Sequence, residues 1–162
     1  MDAQLGLVKL FYEVAFLDSR RQAGLGLSQA DEDKLMVFIA ALGGDPGWSR
    51  RRFRRKATML AAVVKTSSRL ARGTVLNMSP GGMLLTSSIR ARVGESILVK
   101  IGRAGGVQHS FPCQVVRVEE QGGAWQVGVR LAGIPLQVCY GSSPDSGSRP
   151  ADNTVRLVRR TG

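Results

Sequence analysis

Residues 50–56 read Arg-Arg-Arg-Phe-Arg-Arg-Lys, five arginines and a lysine around one aromatic residue, Phe53. A guanidinium presents a planar fork of donors that fits phosphate oxygens in pairs, and its flat face stacks on rings. Arg51 and Arg55 stand four apart, as do Arg50 and Arg54. Neighbouring like charges repel, which predicts an extended or loosely turned segment. Taken alone the run reads as well as a solvated linker. A second feature is needed to make it an anion clamp.

That feature lies at residues 76–83, Leu-Asn-Met-Ser-Pro-Gly-Gly-Met. Asn77 and Ser79 are short hydrogen-bonding residues separated by one position, so in a strand they point to the same face. Pro80 fixes its own backbone angle. Gly81 and Gly82 permit positive φ and carry no Cβ, which predicts a turn that a ligand can approach closely. No acidic residue occurs between Asp45 and Glu95. The run and the turn therefore share one electropositive stretch that also holds Lys65, Arg69, Arg72, Arg90 and Arg92.

The rest of the chain must position these two features. Residues 4–21 carry apolar side chains at helical spacing (Leu7, Leu10, Phe11, Val14, Leu17), and Gly24 ends the pattern. Ser-Gln-Ala-Asp at 28–31 is a capping signal for a second helix bearing Leu35, Phe38, Ile39 and Leu42. Residues 1–46 thus read as a helical hairpin. Two short helices cannot bury both apolar faces alone, so they pack on the rest of the chain or on another copy, as a homodimer. Six strand-like stretches follow at 58–65, 73–79, 81–87, 95–101, 109–120 and 125–133, separated by turn signals. Pro112 within the fifth suggests an edge or a bulge. The class is mainly β, a small antiparallel barrel or sandwich. The division is a hairpin (1–46), a basic linker (47–56), a β domain (57–138) and a flexible basic tail (139–162), rich in Gly, Ser and Pro before its final arginines.

The 162 residues carry a net charge of +11 and are 43% hydrophobic. That charge calls for an anionic partner, and the apolar content for a folded domain. Cys113 and Cys139 form no Cys-x-x-Cys pair, and the single histidine, His109, has no second metal ligand near it. Metal and cofactor readings fail on this ground, and a reduced, cytoplasmic setting fits. No stretch reaches the roughly 18 apolar residues of a membrane span, and the N-terminus is a poor signal peptide. Glu119 and Glu120 have no nucleophile or histidine beside them, so no catalytic constellation is legible and the chain does not read as an enzyme. His109 reads as a surface or strand-edge residue, Cys113 and Trp125 as core. Trp48 reads equally as a stacking or a packing residue.

The Arg-x-x-x-Arg motif followed, after a strand, by [Asp/Asn]-x-Ser-x-x-Gly resembles the PilZ domain, the bacterial receptor domain for cyclic di-GMP. The match runs through Arg51, Phe53 and Arg55, then Asn77, Ser79 and Gly82, and ends in the Val-Gly-Val-Arg-Leu-Ala-Gly stretch at 127–133. Lys56 departs from the family, which carries an apolar residue there. The resemblance implies a six-stranded antiparallel PilZ-type β-barrel, in agreement with the six predicted strands. It implies cyclic di-GMP as a regulatory ligand. Arg51 and Arg55 would meet its phosphates and guanine edges, Asn77 and Ser79 a guanine or the adjacent phosphate, and Gly82 would keep the turn open. Arg50, Arg54 and Gly81 are candidates for additional contacts, including those to a second, stacked ligand molecule.

Binding would order residues 47–56 and alter the hairpin, so the function implied is a receptor or adaptor that regulates a partner protein. Two alternatives stand beside it. One is a small basic barrel that binds nucleic acid, disfavoured because aromatic residues are only 6% and no stacking platform is visible. The other is a PilZ-like structural or dimerisation subunit that binds no ligand.

Overall fold

The computed structural model describes residues 2–43, 53–103 and 105–140. Arg50, Arg51, Trp48 and the basic tail beyond residue 140 lie outside the described residues. Two helices, α1 (Asp2–Gln22) and α2 (Gln29–Leu42), precede seven strands. These are β1 (Lys56–Lys65), β2 (Leu70–Ser79), β3 (Gly82–Ser87), β4 (Ser96–Gly102), β5 (Val107–Gln121), β6 (Ala124–Leu131) and β7 (Leu136–Cys139).

The helix ends follow local chemistry. α1 stops where Gly24 takes φ 73°, which lets Leu25 N–H reach back to Arg20 O at 3.0 Å and satisfy an end carbonyl. α2 starts at Ser28, whose hydroxyl accepts from Asp31 N–H at 3.2 Å and donates to the Asp31 carboxylate at 2.8 Å. The predicted capping signal therefore operates as a cap.

Every strand pair is antiparallel, and the order β4-β1-β2-β3-β6-β5 closes because β4 also pairs with β5. This is a closed six-stranded barrel, built from the six stretches predicted as strands. Alternation fills it: Leu60, Ala62, Val64, Met83, Leu85, Ile97, Val99, Ile101, Phe111, Cys113, Val115, Val127 and Val129 are all buried. Closure leaves no long unpaired edge in the ring.

β7 was not expected from the sequence. It pairs with residues 107–110 of β5, beyond the point where β6 has ended. β5 is thus long enough to hold β6 and β7 in succession along one edge. Pro112 sits at the junction. Its carbonyl accepts from Ala132 N–H at 2.9 Å, and its absent N–H falls between the two partner strands. Pro112 is therefore neither in an edge strand nor at a bulge; it occupies the gap between β6 and β7, where a donor is not required.

The helices pack on the barrel. Val8 and Phe11 of α1 are fully buried and join the same apolar cluster as the inward-facing strand residues. Tyr12 lies against His109 (4.8 Å between ring centroids) and Phe111 (6.4 Å). His109 is consequently buried at 6% exposure, not at the surface or an edge as its polarity suggested. A second cluster joins Val14, Leu17 and Leu35 of the hairpin to Phe53.

Candidate functional site

The turn at residues 79–82 is a two-residue hairpin connection. Ser79 pairs with Gly82 across it, and the Ser79 hydroxyl donates to Gly82 O at 3.3 Å. Leu131 N–H donates to Gly81 O at 2.9 Å and ties the turn to the end of β6. Neither Gly81 nor Gly82 takes the positive φ that glycine permits. The need for glycine at 82 is steric instead. A Cβ there would stand 2.3 Å from Val129 O of the neighbouring strand. At Gly81 it would meet only the Phe53 ring, at an ordinary 3.7 Å.

β2 carries one extra residue just before the turn. Val75 faces Leu85 and Asn77 faces Leu84, so Leu76 is set off the ladder. The bulge lets Val75 and Met78, three apart, both enter the core, and Asn77 and Ser79 flank the buried Met78. The Asn77 Oδ1 atom is buried and accepts no hydrogen bond among the described residues. A second bulge at Val116, between the Val115–Val129 and Arg117–Gly128 pairs, leaves that side chain half exposed.

These irregularities surround a small cavity of about 170 Å³, lined by Phe53, Arg55, Ser79, Gly81, Gly82, Val116, Val129 and Arg130. Four of the sequence-predicted positions, Arg55, Ser79, Gly81 and Gly82, meet here. Asn77 does not line the cavity; it lies two residues before Ser79 on β2. Arg54 is exposed, and its backbone N–H donates to Leu42 O at 3.0 Å. No acidic residue lines the cavity, so it is an electropositive recess.

Arg130 and Val116 were not singled out in the sequence. Arg130 pairs across the sheet with both Gly82 and Gln114, and its Nε donates to Gln114 Oε1 at 3.0 Å. The alternation of residues 125–131 placed Arg130 on the outer face. Only the pairing of β6 with β3 brings it beside the turn. Val116 had no signal, because a bulge in β5 is not legible in a run of valines. A larger cavity of about 490 Å³ adjoins, sharing Phe53, Gly81 and Arg130 and bounded by Asp18 and Gln22 near the end of α1.

Among the described residues, no group of three or more His, Cys, Asp or Glu could hold a metal ion. None of the described helices is long and apolar enough to cross a membrane. Burial pushes the Cys113 thiol up to about 12 and lowers the His109 imidazole below its ordinary value. Both groups lie away from the recess.

The model of the PilZ domain family matches residues 49–139, more than half of the chain. The chain belongs to the PilZ domain family. No curated protein matches it significantly. Among solved structures it is similar to the Bacillus subtilis inhibitor of motility (MotI/DgrA), at 18% identity and a TM-score of 0.46. That likeness covers 54% of this chain, which spans 44% of that structure's length.

Proposed function

We propose that this PilZ-family chain is a non-enzymatic receptor for cyclic di-GMP, and that the recess at the Pro80-Gly81 turn holds part of the ligand. The observation that carries the reading is the meeting of Arg55, Ser79, Gly81 and Gly82 around one acid-free cavity. Small-molecule sites usually enclose about 300–1,000 Å³. At about 170 Å³ the recess takes one phosphodiester or one base edge, and the rest of the dinucleotide lies over the outer surface of the barrel.

In this reading Arg55 and Arg51 supply paired donors to the phosphates and to guanine O6 and N7. Asn77, whose Oδ1 is buried without a donor among the described residues, turns towards the ligand on binding and hydrogen-bonds a guanine or the adjacent phosphate. Gly82 allows β3 to lie close against β6, which sets the floor of the recess. Phe53 passes the effect onward. It sits two residues before Arg55, inside the cluster formed by α1 and α2. Fixing the arginine segment therefore biases the position of the hairpin, and the hairpin presents the regulated surface to a protein partner.

Calorimetric titration of cyclic di-GMP into the full chain tests this, with GTP and the Arg51→Ala/Arg55→Ala variant as controls. Saturable binding at micromolar or tighter affinity is expected, weakened at least about tenfold in the variant. A folded protein that shows no saturable binding would overturn the reading. Steep loss of affinity with added salt would point instead to a nucleic-acid-like contact driven by counterion release.

A further inference from the structure

Three further arginines of the acid-free stretch, Arg69, Arg90 and Arg92, gather at the other end of the barrel. The β1–β2 turn and the β3–β4 loop lie at the opposite end of the strands from Pro80-Gly81, separated by the ten residues of β2, about 30 Å of strand. Between that turn and that loop is a cavity of about 900 Å³ lined by Arg69, Arg90 and Arg92 together with Thr66, Ser67 and Ser68. We propose that this cavity is a second anion site, taking a small ligand that carries a chain of phosphate groups.

Both loops are held in shape without using the guanidinium groups. Thr66 N–H donates to Arg69 O at 2.9 Å, and Arg69 N–H to the Thr66 hydroxyl at 3.0 Å. Glu95 N–H donates to Arg92 O at 3.0 Å, and the Glu95 carboxylate accepts from Arg92 N–H at 2.9 Å. Glu95 is the one acid lining the cavity, and its carboxylate is engaged by that backbone amide. Ala91, between two of the arginines, is buried and anchors the loop.

None of the three guanidinium groups is in an ion pair among the described residues. Arg90 lies over the Trp125 ring, 5.0 Å from its centroid. That contact steadies the side chain through its flat face and leaves its edge donors for a ligand. Three guanidinium groups and one carboxylate leave the recess with a net positive charge, and an anion offsets it.

The chemistry favours phosphates over a base. The Trp125 face is already covered by Arg90, so the recess offers no free aromatic platform. Three arginine forks, with two serine hydroxyls beside them, suit several phosphate oxygens at once. The volume is far more than one phosphate fills and lies within the range of small-molecule sites. An inorganic phosphate chain and a nucleotide triphosphate share this chemistry.

The test is calorimetric titration of inorganic tripolyphosphate and of ATP into the full chain at matched ionic strength. It is repeated on Arg55→Ala and on the charge-preserving Arg69→Lys/Arg90→Lys/Arg92→Lys variant. Saturable one-to-one binding is expected, retained in Arg55→Ala and weakened at least about tenfold in the lysine variant. Equal affinities for the two probes assign recognition to the phosphate chain, and tighter ATP binding assigns it to a nucleotide. The proposal is overturned if the lysine variant binds as well as the parent, since diffuse charge then suffices. It is equally overturned if Arg55→Ala abolishes binding, if a glutamate-rich peptide of equal charge binds as tightly, or if the folded protein binds neither probe. Because Arg55 belongs to the other end of the barrel, failure here leaves the cyclic di-GMP reading separately testable.

Discussion

The ring of Phe53 lies 3.7 Å from the point where a side chain on Gly81 would begin. The same ring is buried at 5% exposure among Val14, Leu17 and Leu35 of the two helices. The backbone is fastened at this place too, through the isolated bridge between Gly43 and Phe53 and the bond from Arg54 N–H to Leu42 O. One aromatic residue in the basic segment thus touches the turn on one side and the helical hairpin on the other. Phe53→Ala is expected to destabilise the protein by about 3 kcal/mol, measured by urea unfolding. It should also weaken any ligand-dependent change in amide protection of α2, even where ligand still binds.

The two turn glycines are not equivalent. Gly82→Ala drives a methyl group to 2.3 Å from Val129 O, backbone that cannot swing aside, whereas Gly81→Ala meets only ordinary contact. Gly82→Ala should cost about 1–3 kcal/mol. Gly81→Ala should change stability by less than about 0.5 kcal/mol. Thermal unfolding of the two variants side by side checks this, and similar melting temperatures would contradict the steric account.

Asn77 separates binding from folding. Its Oδ1 is buried without a hydrogen-bond donor among the described residues, so the folded protein carries the cost of desolvating that atom. Asn77→Ala removes the orphaned acceptor and should leave stability within about 1 kcal/mol of the parent. Cyclic di-GMP affinity should fall at least about tenfold. A large loss of stability with unchanged affinity would assign Asn77 to the fold alone.

His109 gives the helix–barrel contact a pH dependence. Burial lowers its pKa, while the neighbouring Gln137 side chain opposes the shift and Lys9 adds to it. The unfolded chain binds a proton near the ordinary value of about 6.5 before the folded one does. Stability from this residue is therefore fully present above about 6.5 and declines as pH falls towards the lowered folded value. Urea midpoints at pH 7.5 and pH 5.5 should differ more for the parent than for His109→Gln.

The two thiols differ in reactivity. Cys113 is buried in the barrel with its pKa pushed up to about 12, and Cys139 is exposed on β7. A thiol reagent at pH 8 should modify one cysteine rapidly, and the second only on unfolding. Two fast reactions per folded chain would show that β5 opens readily in the native state.

Much of this protein was legible without coordinates, because the relevant physics is local. Strand-prone stretches between turn signals mark the six barrel strands, Ser28 and Asp31 mark the start of α2, and Gly24 marks the end of α1. The pairing of an arginine run with Asn77, Ser79 and Gly82 marks the candidate site, since those residue types suit anions and turns whatever surrounds them. The tertiary structure decided what depends on neighbours distant in sequence. The requirement for glycine at 82 comes from β6, almost fifty residues away, not from a special backbone angle. Arg130 enters the recess because β6 pairs with β3. Pro112 is accommodated because β6 ends and β7 begins opposite it. His109 is buried because α1 lies across β5. Strand order and bulges fix these relations, and neither leaves a mark in a single strand's own pattern: alternation records which face of a strand is inward, and never which strand lies beside it.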